Sequence, residues 1–305
     1  MTIIEYLDND FLGNYLYMKR EDLLPFSFGG NKARKAQLFF DEIDEGDVDY
    51  VVTYGNSSSN HCRVIANACA KRNLSCKIIS PIEDNDDTFN RKLIRMLGAD
   101  LHICDIGDVS DVIQQILNDL RVAGFNPYFI EGGGHGYLGT HAYVQCYNEI
   151  LEYEKSSSKI FDYIFHASGT GTTQAGLICG KILNNSDVSV VGISIARNNP
   201  HGTEVVYQSV REYLARKGIS EDSRSHVEFV DDYTLGGYGI GGAQIDKLIE
   251  RVFCKYGVAL NTVYTGKAFW GMEQYLQNRS ISGKNILFIN TGGIPNVFDD
   301  LEKKR

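Results

Sequence analysis

The sequence lacks the features that mark secreted, membrane-spanning and nucleic-acid-binding proteins. Its 305 residues contain no apolar run close to the roughly 20 residues that a membrane-spanning helix needs. The segment 2–8 carries acids where a secretory signal would carry basic residues. The net charge of −9 argues against nucleic acid or an anionic membrane as the main partner, because both favour a surplus of lysine and arginine. We therefore expect a cytoplasmic protein.

The cysteines lack the spacing of a disulfide framework or a zinc site. Seven are scattered along the chain, with no Cys-x-x-Cys pair and no paired histidines. This pattern predicts reduced thiols and no metal site. The remaining composition is that of an ordinary globular protein, with 43% hydrophobic and 23% charged residues. A chain of this length can bury a large core, most plausibly in two lobes.

Strand and helix patterns alternate along most of the chain. Short apolar runs predict strands at 50–54, 77–79, 101–104, 127–130, 163–166, 188–195, 227–230 and 285–289. Amphipathic patterns predict helices at 32–40, 62–72, 90–97, 109–123, 140–154, 173–183, 204–217, 244–256 and 267–277. The alternation favours an α/β fold of two doubly wound lobes with mainly parallel sheets, which bind ligands at the carboxyl ends of their strands. The serine run 156–158 is a candidate lobe boundary.

A helix that begins with three cations follows a glycine pair. The segment 29–35 reads Gly-Gly-Asn-Lys-Ala-Arg-Lys, and Asn31 suits the N-cap position. Cations are unfavourable in a first turn because the helix N-terminus carries positive partial charge. An anion bound there, or a Schiff base on Lys32, would explain the arrangement. Three solvated cations on a surface helix are the alternative.

A glycine-rich turn at 167–176 follows a predicted strand and begins a helix. Its backbone N–H groups and threonine hydroxyls could hold a phosphate at the helix N-terminus. Gln174 replaces a glycine of the dinucleotide fingerprint, the acid expected after the next strand is missing, and no Walker lysine is present. A cofactor with one phosphate is favoured; a turn selected only for helix packing is the alternative.

Two more polar turns follow predicted strands. Ser59 could hydrogen-bond or relay a proton and Asn60 could donate to a ligand oxygen, although a simple helix N-cap is the alternative. Thr291 could donate to an aromatic nitrogen without protonating it. Together with a phosphate turn and a Schiff-base lysine, these groups predict pyridoxal 5'-phosphate. Burial and the neighbouring Lys35 would lower the pKa of Lys32, so that it could form the imine and later act as a base.

Six segments, in order, resemble the 1-aminocyclopropane-1-carboxylate (ACC) deaminase / D-cysteine desulfhydrase family. They are 29–35, 59–63, 169–176, 238–240, 263–268 and 291–293, and they are spread along nearly the whole chain. The resemblance implies the tryptophan-synthase-β-like fold, that is, fold type II of pyridoxal-phosphate enzymes. It also implies a large cofactor-binding domain (1–34 and 155–305), a small domain (35–154) and a homodimer.

The resemblance implies roles for individual residues. The implied catalytic residues are Lys32, Ser59, Tyr238 and Tyr264. The implied cofactor-binding residues are Lys32, Lys35, Asn60, Thr170, Gly171, Thr172, Thr173 and Thr291. The implied substrate-binding residues are Ser59, Asn60, His61, Tyr238 and Tyr264. Among these, Lys32 forms the Schiff base, Lys35 and residues 170–173 surround the phosphate, Asn60 binds the ring oxygen and Thr291 meets the ring nitrogen.

Two threonines favour the desulfhydrase branch of that family. The deaminases typically have Glu where this chain has Thr265 and Leu where it has Thr291. Without the carboxylate the ring nitrogen stays unprotonated and the electron sink is weaker, which suits β-elimination better than opening a cyclopropane. The resemblance thus implies a lyase that eliminates from a small β-substituted amino acid, first D-cysteine to pyruvate, hydrogen sulfide and ammonia. ACC deaminase, cysteate sulfo-lyase, racemase, β-replacement and a silent binding protein are alternatives, and a nucleotide-binding dehydrogenase is disfavoured.

The chain departs from the family pattern at two places. The loop 132–139 differs from the usual desulfhydrase loop, and Gly241 replaces a proline. Both lie near the region where the family places the substrate. His135, in the first of them, is expected to be a surface histidine, with a substrate contact as the alternative.

Overall fold

The chain alternates strands and helices as predicted. The computed structural model describes residues 1–56, 58–82, 88–220 and 223–303. Its strands are β1 (Ile4–Asp8), β2 (Tyr15–Arg20), β3 (Tyr50–Tyr54), β4 (Ser75–Pro81), β5 (Asp100–Cys104), β6 (Pro127–Ile130), β7 (Tyr163–Ser168), β8 (Ser189–Ser194), β9 (Glu228–Val230) and β10 (Asn285–Asn290). Its α-helices are α1 (Asn31–Glu45), α2 (Asn60–Arg72), α3 (Phe89–Met96), α4 (Val109–Val122), α5 (Tyr137–Ser157), α6 (Thr172–Leu183), α7 (His201–Arg216), α8 (Ala243–Tyr256), α9 (Thr265–Asn278) and α10 (Ile294–Glu302).

Two sheets organise these elements. The larger has the strand order β1-β2-β10-β7-β8-β9, and all of its pairings are parallel except that of β1 with β2. The smaller has the order β5-β4-β3-β6 and is parallel throughout. The predicted α/β class with mainly parallel sheets is confirmed. The larger sheet takes its strands from 4–20 and 163–290, and the smaller from 50–130; the domain boundaries at 34 and 154 stay a prediction.

Helix α5 joins the core of the larger sheet. Its Tyr143 and Tyr147 pack against α6 at Gly176 and Gly180, respectively. A Cβ added to either glycine would lie 2.4 Å from the Cβ of the tyrosine that it faces. Small residues at the crossing let the two helices approach closely. The serine run 156–158 forms the end of this helix, with Ser158 in the left-handed region, and it is not an extended linker.

Several details differ from the sequence prediction. The N-cap of α1 is Gly30, with φ of 90°, and Asn31 is the first helical residue, so the predicted cap is wrong. Strands β1 and β2 and helix α10 were not predicted. The two strands are short, with β1 at the sheet edge and β2 beside it, and α10 follows a glycine turn and has a proline in its first turn. No helix in the described ranges combines the length and apolar character that crossing a membrane requires.

Candidate active site

A cavity of about 660 Å³ lies where the carboxyl ends of both sheets converge. The smaller sheet contributes residues that follow β3, β4 and β6, and the larger contributes residues that follow β7, β8 and β10. Parallel strands bring such ends to one edge, as in the pairing of Ser168 with Ser194. Helix α1 adds Lys32, and residues 29 and 30 complete the wall. This is the position expected for a ligand in an open parallel sheet.

Lys32 faces this cavity from the first turn of α1. Its Nζ donates to the carbonyl oxygen of Gly133 at 2.9 Å, and burial lowers the pKa of the amine to about 8. The backbone before it is held against the turn that follows β10. The N–H of Asn31 donates to the oxygen of Thr291 at 3.0 Å, and a Cβ on Gly30 would lie 2.6 Å from that oxygen. The close approach therefore requires glycine at position 30.

The other two cations of the first turn have different environments. Arg34 makes paired hydrogen bonds to the carboxylates of Glu21 and Glu149, the longest of them 3.0 Å. Lys35 is 1% exposed and its Nζ donates to Thr172 Oγ1 at 2.6 Å. Burial and the charge of Lys32 hold the pKa of Lys35 well below its usual value. The alternative of three solvated surface cations is thus wrong.

The turn between β7 and α6 forms a cradle. Thr170, Gly171 and Thr173 line the cavity, and the first N–H groups of α6 point beyond the helix end. Asn31 Nδ2 donates to Thr173 Oγ1 at 3.2 Å and so ties α1 to this turn. Lys35 and Thr172 are not among the described residues that line the cavity. That pair lies behind the cradle. A phosphate group fits the donors and the positive end of the helix.

Asn60 presents an oriented amide to the cavity. Its Oδ1 accepts from Asn90 Nδ2 at 3.0 Å and its Nδ2 donates to Asn296 Oδ1 at 2.6 Å. These contacts fix which end of the amide is which and leave one Nδ2 hydrogen for a ligand oxygen. Ser59 is the N-cap of α2, because its Oγ accepts from the N–H of His61 at 3.1 Å, and it also lines the cavity. Ser57, in the same turn, lies outside the described residues.

His61 is placed apart from the cavity. Its Nε2 lies 2.8 Å from Thr53 Oγ1, whose own proton is donated to the oxygen of Ile130 at 2.7 Å. Nε2 is therefore the donor, and burial keeps the pKa of the ring well below its usual value. His61 is absent from the described lining residues, so this geometry favours a supporting position over the implied substrate contact.

Tyr238 and Tyr264 meet at the mouth of the cavity. Their hydroxyls share a short hydrogen bond, and the rings pack edge to face with centroids 5.9 Å apart. Burial and the Tyr238 hydroxyl raise the pKa of Tyr264 well above its usual value, so it stays a neutral donor. Tyr238 is 48% exposed, which leaves its ring open to an incoming ligand.

The turn after β10 offers a hydroxyl rather than a carboxylate. Thr291 lines the cavity and is buried. Thr265 lies behind it, and its Oγ1 accepts at 3.2 Å from Asn261 Nδ2, which also donates to the oxygen of Gly292 at 3.1 Å. Among the described lining residues the only carboxylate is that of Glu131, which follows β6. An aromatic nitrogen at Thr291 would find a neutral partner.

Arg197 and His135 also line the cavity. Arg197 follows β8, and its buried Nη1 has no hydrogen-bond partner among the described residues, as expected for a group that meets an anionic ligand. A cation directly after a strand was the signal for it. His135 is half-buried, with Nε2 3.4 Å from Ser209 Oγ, so the expected surface histidine is instead part of the wall. Burial, then Lys35, lowers its pKa.

These groups fit pyridoxal phosphate. The cradle at 170–173 suits the phosphate, the Lys32 amine suits the aldehyde carbon, Asn60 suits the phenolic oxygen and Thr291 suits an unprotonated ring nitrogen. Gly133 and Gly171 keep space open: an added Cβ on Gly133 would lie 2.7 Å from Thr170 Cγ2, and one on Gly171 would lie 3.3 Å from Val205 Cγ1. The size of the cavity is within the usual range for a small-molecule site.

Known proteins share this sequence and fold. A family model described as pyridoxal-phosphate dependent enzyme matches residues 2–292. The chain is 32% identical over 298 residues to a D-cysteine desulfhydrase of Serratia proteamaculans, covering 95% of this chain and 90% of that protein. It is 32% identical over 303 residues to a putative ACC deaminase of Pyrococcus horikoshii, covering 97% and 90%.

A solved structure is similar to this chain in its fold as well as in its sequence. A crystal structure described as an ACC deaminase homologue has a TM-score of 0.87 and 33% identity, covering 99% of this chain and 92% of that one. The chain therefore belongs to the pyridoxal-phosphate-dependent enzyme family, in the group of ACC deaminases and D-cysteine desulfhydrases, with fold type II architecture and pyridoxal phosphate as its cofactor.

Proposed function

We propose that the protein is a lyase that catalyses α,β-elimination from a small β-substituted amino acid, with D-cysteine as the first candidate. The observation that carries the proposal is the placement of Lys32. Its amine, with a pKa near 8, faces a cavity that also presents a phosphate cradle and an oriented amide. A poised amine can both anchor the cofactor and serve as a base near neutral pH.

In this elimination, Lys32 and Ser59 would move the protons. When bound, pyridoxal phosphate supplies the electron sink that makes the α-proton of the substrate removable. Lys32 would take the α-proton of the bound substrate, and the Ser59 hydroxyl, which also lines the cavity, would donate a hydrogen bond or relay a proton there. The Cβ–S bond breaks with both electrons leaving on sulfur. The aminoacrylate that is released is hydrolysed by water to pyruvate and ammonia.

The tyrosine pair would hold the departing group or the carboxylate. Tyr264 stays protonated because burial and Tyr238 raise its pKa, so it can donate a hydrogen bond to a developing thiolate. Tyr238 is the more exposed partner and lies where the substrate enters. Asn60 would donate to the cofactor's phenolic oxygen, and Lys35 would act on the phosphate through Thr172.

The neutral partner of the ring nitrogen favours elimination over deamination of the cyclopropane substrate. Thr291 cannot supply the proton that a carboxylate would stabilise on that nitrogen, and Thr265 already accepts from Asn261. A weaker sink suits a substrate whose β-substituent leaves easily. ACC deaminase is the second candidate, because a relative of equal identity carries that name.

A substrate panel tests the proposal. Pyruvate release is measured from D-cysteine, L-cysteine, β-chloro-D-alanine and D-serine, with sulfide for the cysteines and α-ketobutyrate for ACC. We expect turnover of D-cysteine and β-chloro-D-alanine, less from D-serine because hydroxide leaves poorly, and no α-ketobutyrate. Release of α-ketobutyrate without sulfide would replace the proposal by the deaminase. Bound cofactor without turnover of any of these compounds would favour a sensor.

We also propose the division into a large domain (1–34 and 155–305) and a small domain (35–154), a homodimeric assembly and a cytoplasmic location. The strands of the two sheets support the division, although helix α5 packs on the larger sheet, and the family resemblance supports the dimer. Light scattering of the purified protein tests the dimer, with a monomer as the contradicting result. Cell fractionation tests the location.

A further inference from the structure

A buried lysine outside the cavity is held by backbone carbonyls alone. Lys267 lies in the first turn of α9 and its side chain is 0% exposed. Its Nζ donates to the oxygens of Thr234 and Gly237 at 2.8 Å each and of Ile195 at 3.2 Å. The three N–H bonds of an ammonium are thereby all used. Within the described ranges no carboxylate forms an ion pair with it.

The three carbonyls belong to parts of the chain that build the active site. Ile195 lines the cavity after β8, two residues before Arg197. Thr234 and Gly237 belong to the tyrosine loop, defined here as residues 233–242, which carries Tyr238. Lys267 itself lies three residues after Tyr264, in the first turn of α9, the helix for which Tyr264 is the N-cap. One ammonium therefore joins both tyrosines to the end of β8.

The tyrosine loop is exposed along half its length. Its backbone is in the left-handed region at Leu235, Gly236 and Gly237, with φ of 56°, 98° and 141°, which turns the carbonyls of the segment inward. Beyond it, Tyr238 and Ile240 are each 48% exposed. Further contacts hold the loop: the Gly237 N–H donates to the oxygen of Thr234, Tyr238 bonds Tyr264, and Tyr233 packs edge to face on Trp270. Such a segment needs a strong internal anchor to hold a side chain still.

We propose that Lys267 is a positioning residue whose ammonium acts as a built-in monovalent cation, holding the tyrosine loop so that Tyr238 and Tyr264 are aligned at the cavity. Backbone carbonyls are the ligands that proteins offer to K⁺, and an ammonium presents the same charge to them. A buried charge is tolerated here because each of its N–H groups has a partner. A base role does not fit, since Lys267 is not among the described lining residues.

Two variants test this inference. Lys267→Ala removes the ammonium and leaves the three carbonyls around an empty volume, whereas Lys267→Met fills that volume with an uncharged stem. Each is compared with the wild-type protein in NH₄Cl, KCl and LiCl at equal ionic strength. The exposed Lys247→Ala, in α8, is the control for loss of a lysine. We measure the Tm of the cofactor-free protein, the visible absorbance of bound cofactor, and kcat and KM for the elimination.

The expected pattern is specific to the alanine variant. In LiCl both variants lose about 100-fold in kcat/KM, the scale of a misplaced catalytic group, while the visible absorbance of bound cofactor stays. NH₄⁺, and K⁺ if it fits, raises the Tm and kcat of Lys267→Ala but not those of Lys267→Met. The wild-type protein and Lys247→Ala are insensitive to the choice of cation.

Two results would overturn the inference. One is near-wild-type kcat/KM in both variants; the other is an equal loss in both with no cation-specific rise in Tm, which would leave Lys267 only a packing role. The activity readout rests on the proposed elimination. The Tm readout does not, because a wild-type protein inactive on every substrate would refute the elimination while the Tm of the alanine variant still decided the role of Lys267.

Discussion

The two sides of the cavity are built in different ways. The cofactor wall, residues 29–32, 169–173 and 291–293, consists of backbone segments pressed against one another. A Cβ on Gly292 would lie 2.6 Å from the Cα of Gly30, and Asn31 contacts both neighbouring turns. The tyrosine loop is exposed along half its length, and the Lys267 ammonium and the Tyr238–Tyr264 hydroxyl pair are among the contacts that hold it. We therefore propose that cofactor retention and substrate choice depend on physically separate parts of the cavity.

That separation suggests how the two functions respond to change. A close-packed backbone wall tolerates few substitutions, since any added atom displaces a neighbour. An exposed loop held at a few points can accept new side chains without loss of the fold. We therefore expect substitutions in the cofactor wall to remove cofactor and activity together. Those in the tyrosine loop should alter KM and substrate preference while the cofactor stays bound.

The largest effect is expected at Lys32. Lys32→Ala removes the covalent anchor and the base, so the visible absorbance of lysine-bound cofactor disappears and activity falls at least about 1,000-fold. Absorbance spectra and pyruvate release measure both. The exposed Lys247→Ala should match the wild-type protein. Retained absorbance and activity in the Lys32 variant would show that another lysine holds the cofactor. The residues named here as the cofactor wall would then not be the ones that bind it.

A pair of glycines in one loop gives the next largest effect. Gly133 and Gly136 both have positive φ, 74° and 94°, so alanine costs about 1–2 kcal/mol of stability at either. Only at Gly133 does the added Cβ enter the site, 2.7 Å from Thr170 and 3.3 Å from Lys32 Nζ; Gly136 has nothing within 4 Å. Gly133→Ala should therefore weaken cofactor binding about 100-fold in a spectral titration.

Gly136→Ala serves as the matched control for that variant. It should show a similar loss in Tm with unchanged cofactor affinity. If the two variants lose the same affinity, backbone strain rather than space in the cavity explains the result. The loop 132–136 would then have no part in cofactor retention.

The cofactor wall was also the easier part to predict from the sequence. Lys32, Thr170 and Thr291 each follow a strand or begin a helix, and parallel topology brings such positions together whatever the details of packing. The same logic predicted most strands and helices to within a few residues. It missed β1 and β2, which form an edge pair that depends on contact with β10.

Contacts made by backbone atoms could not be predicted. The carbonyl cage of Lys267 draws on residues 195, 234 and 237, and nothing in the side chains there distinguishes them from an ordinary loop. The position of His61 was hidden for a related reason. Helical periodicity turns it toward Thr53 and away from the cavity, although its neighbours Ser59 and Asn60 line it.

In the cofactor-free protein, we expect pH to change the rate of pyridoxal phosphate capture about tenfold. Burial lowers the pKa of Lys32 from 10.5 to about 8, so below pH 8 the amine is protonated and cannot attack the aldehyde. Capture of pyridoxal phosphate should be about tenfold slower at pH 7 than at pH 9 and level off above pH 9, following the neutral fraction. Stopped-flow absorbance measures it. A rate that still rises steeply from pH 9 to pH 10 would mean that Lys32 is solvated like a surface lysine.

The smallest effect should come from the tyrosine loop, through Tyr238→Phe. The change removes one hydroxyl and its bond to Tyr264, so kcat/KM for D-cysteine should fall about threefold to tenfold, mainly through KM, with cofactor affinity unchanged. Tyr264→Phe is the matched variant, and because the two hydroxyls bond each other the double variant should lose less than the product of the single losses. Steady-state kinetics of the three variants give kcat and KM, and spectral titration gives their cofactor affinity. Independent, multiplicative losses would mean that the tyrosines act separately, and a loss of cofactor affinity in Tyr238→Phe would mean that the loop and the cofactor wall are one unit.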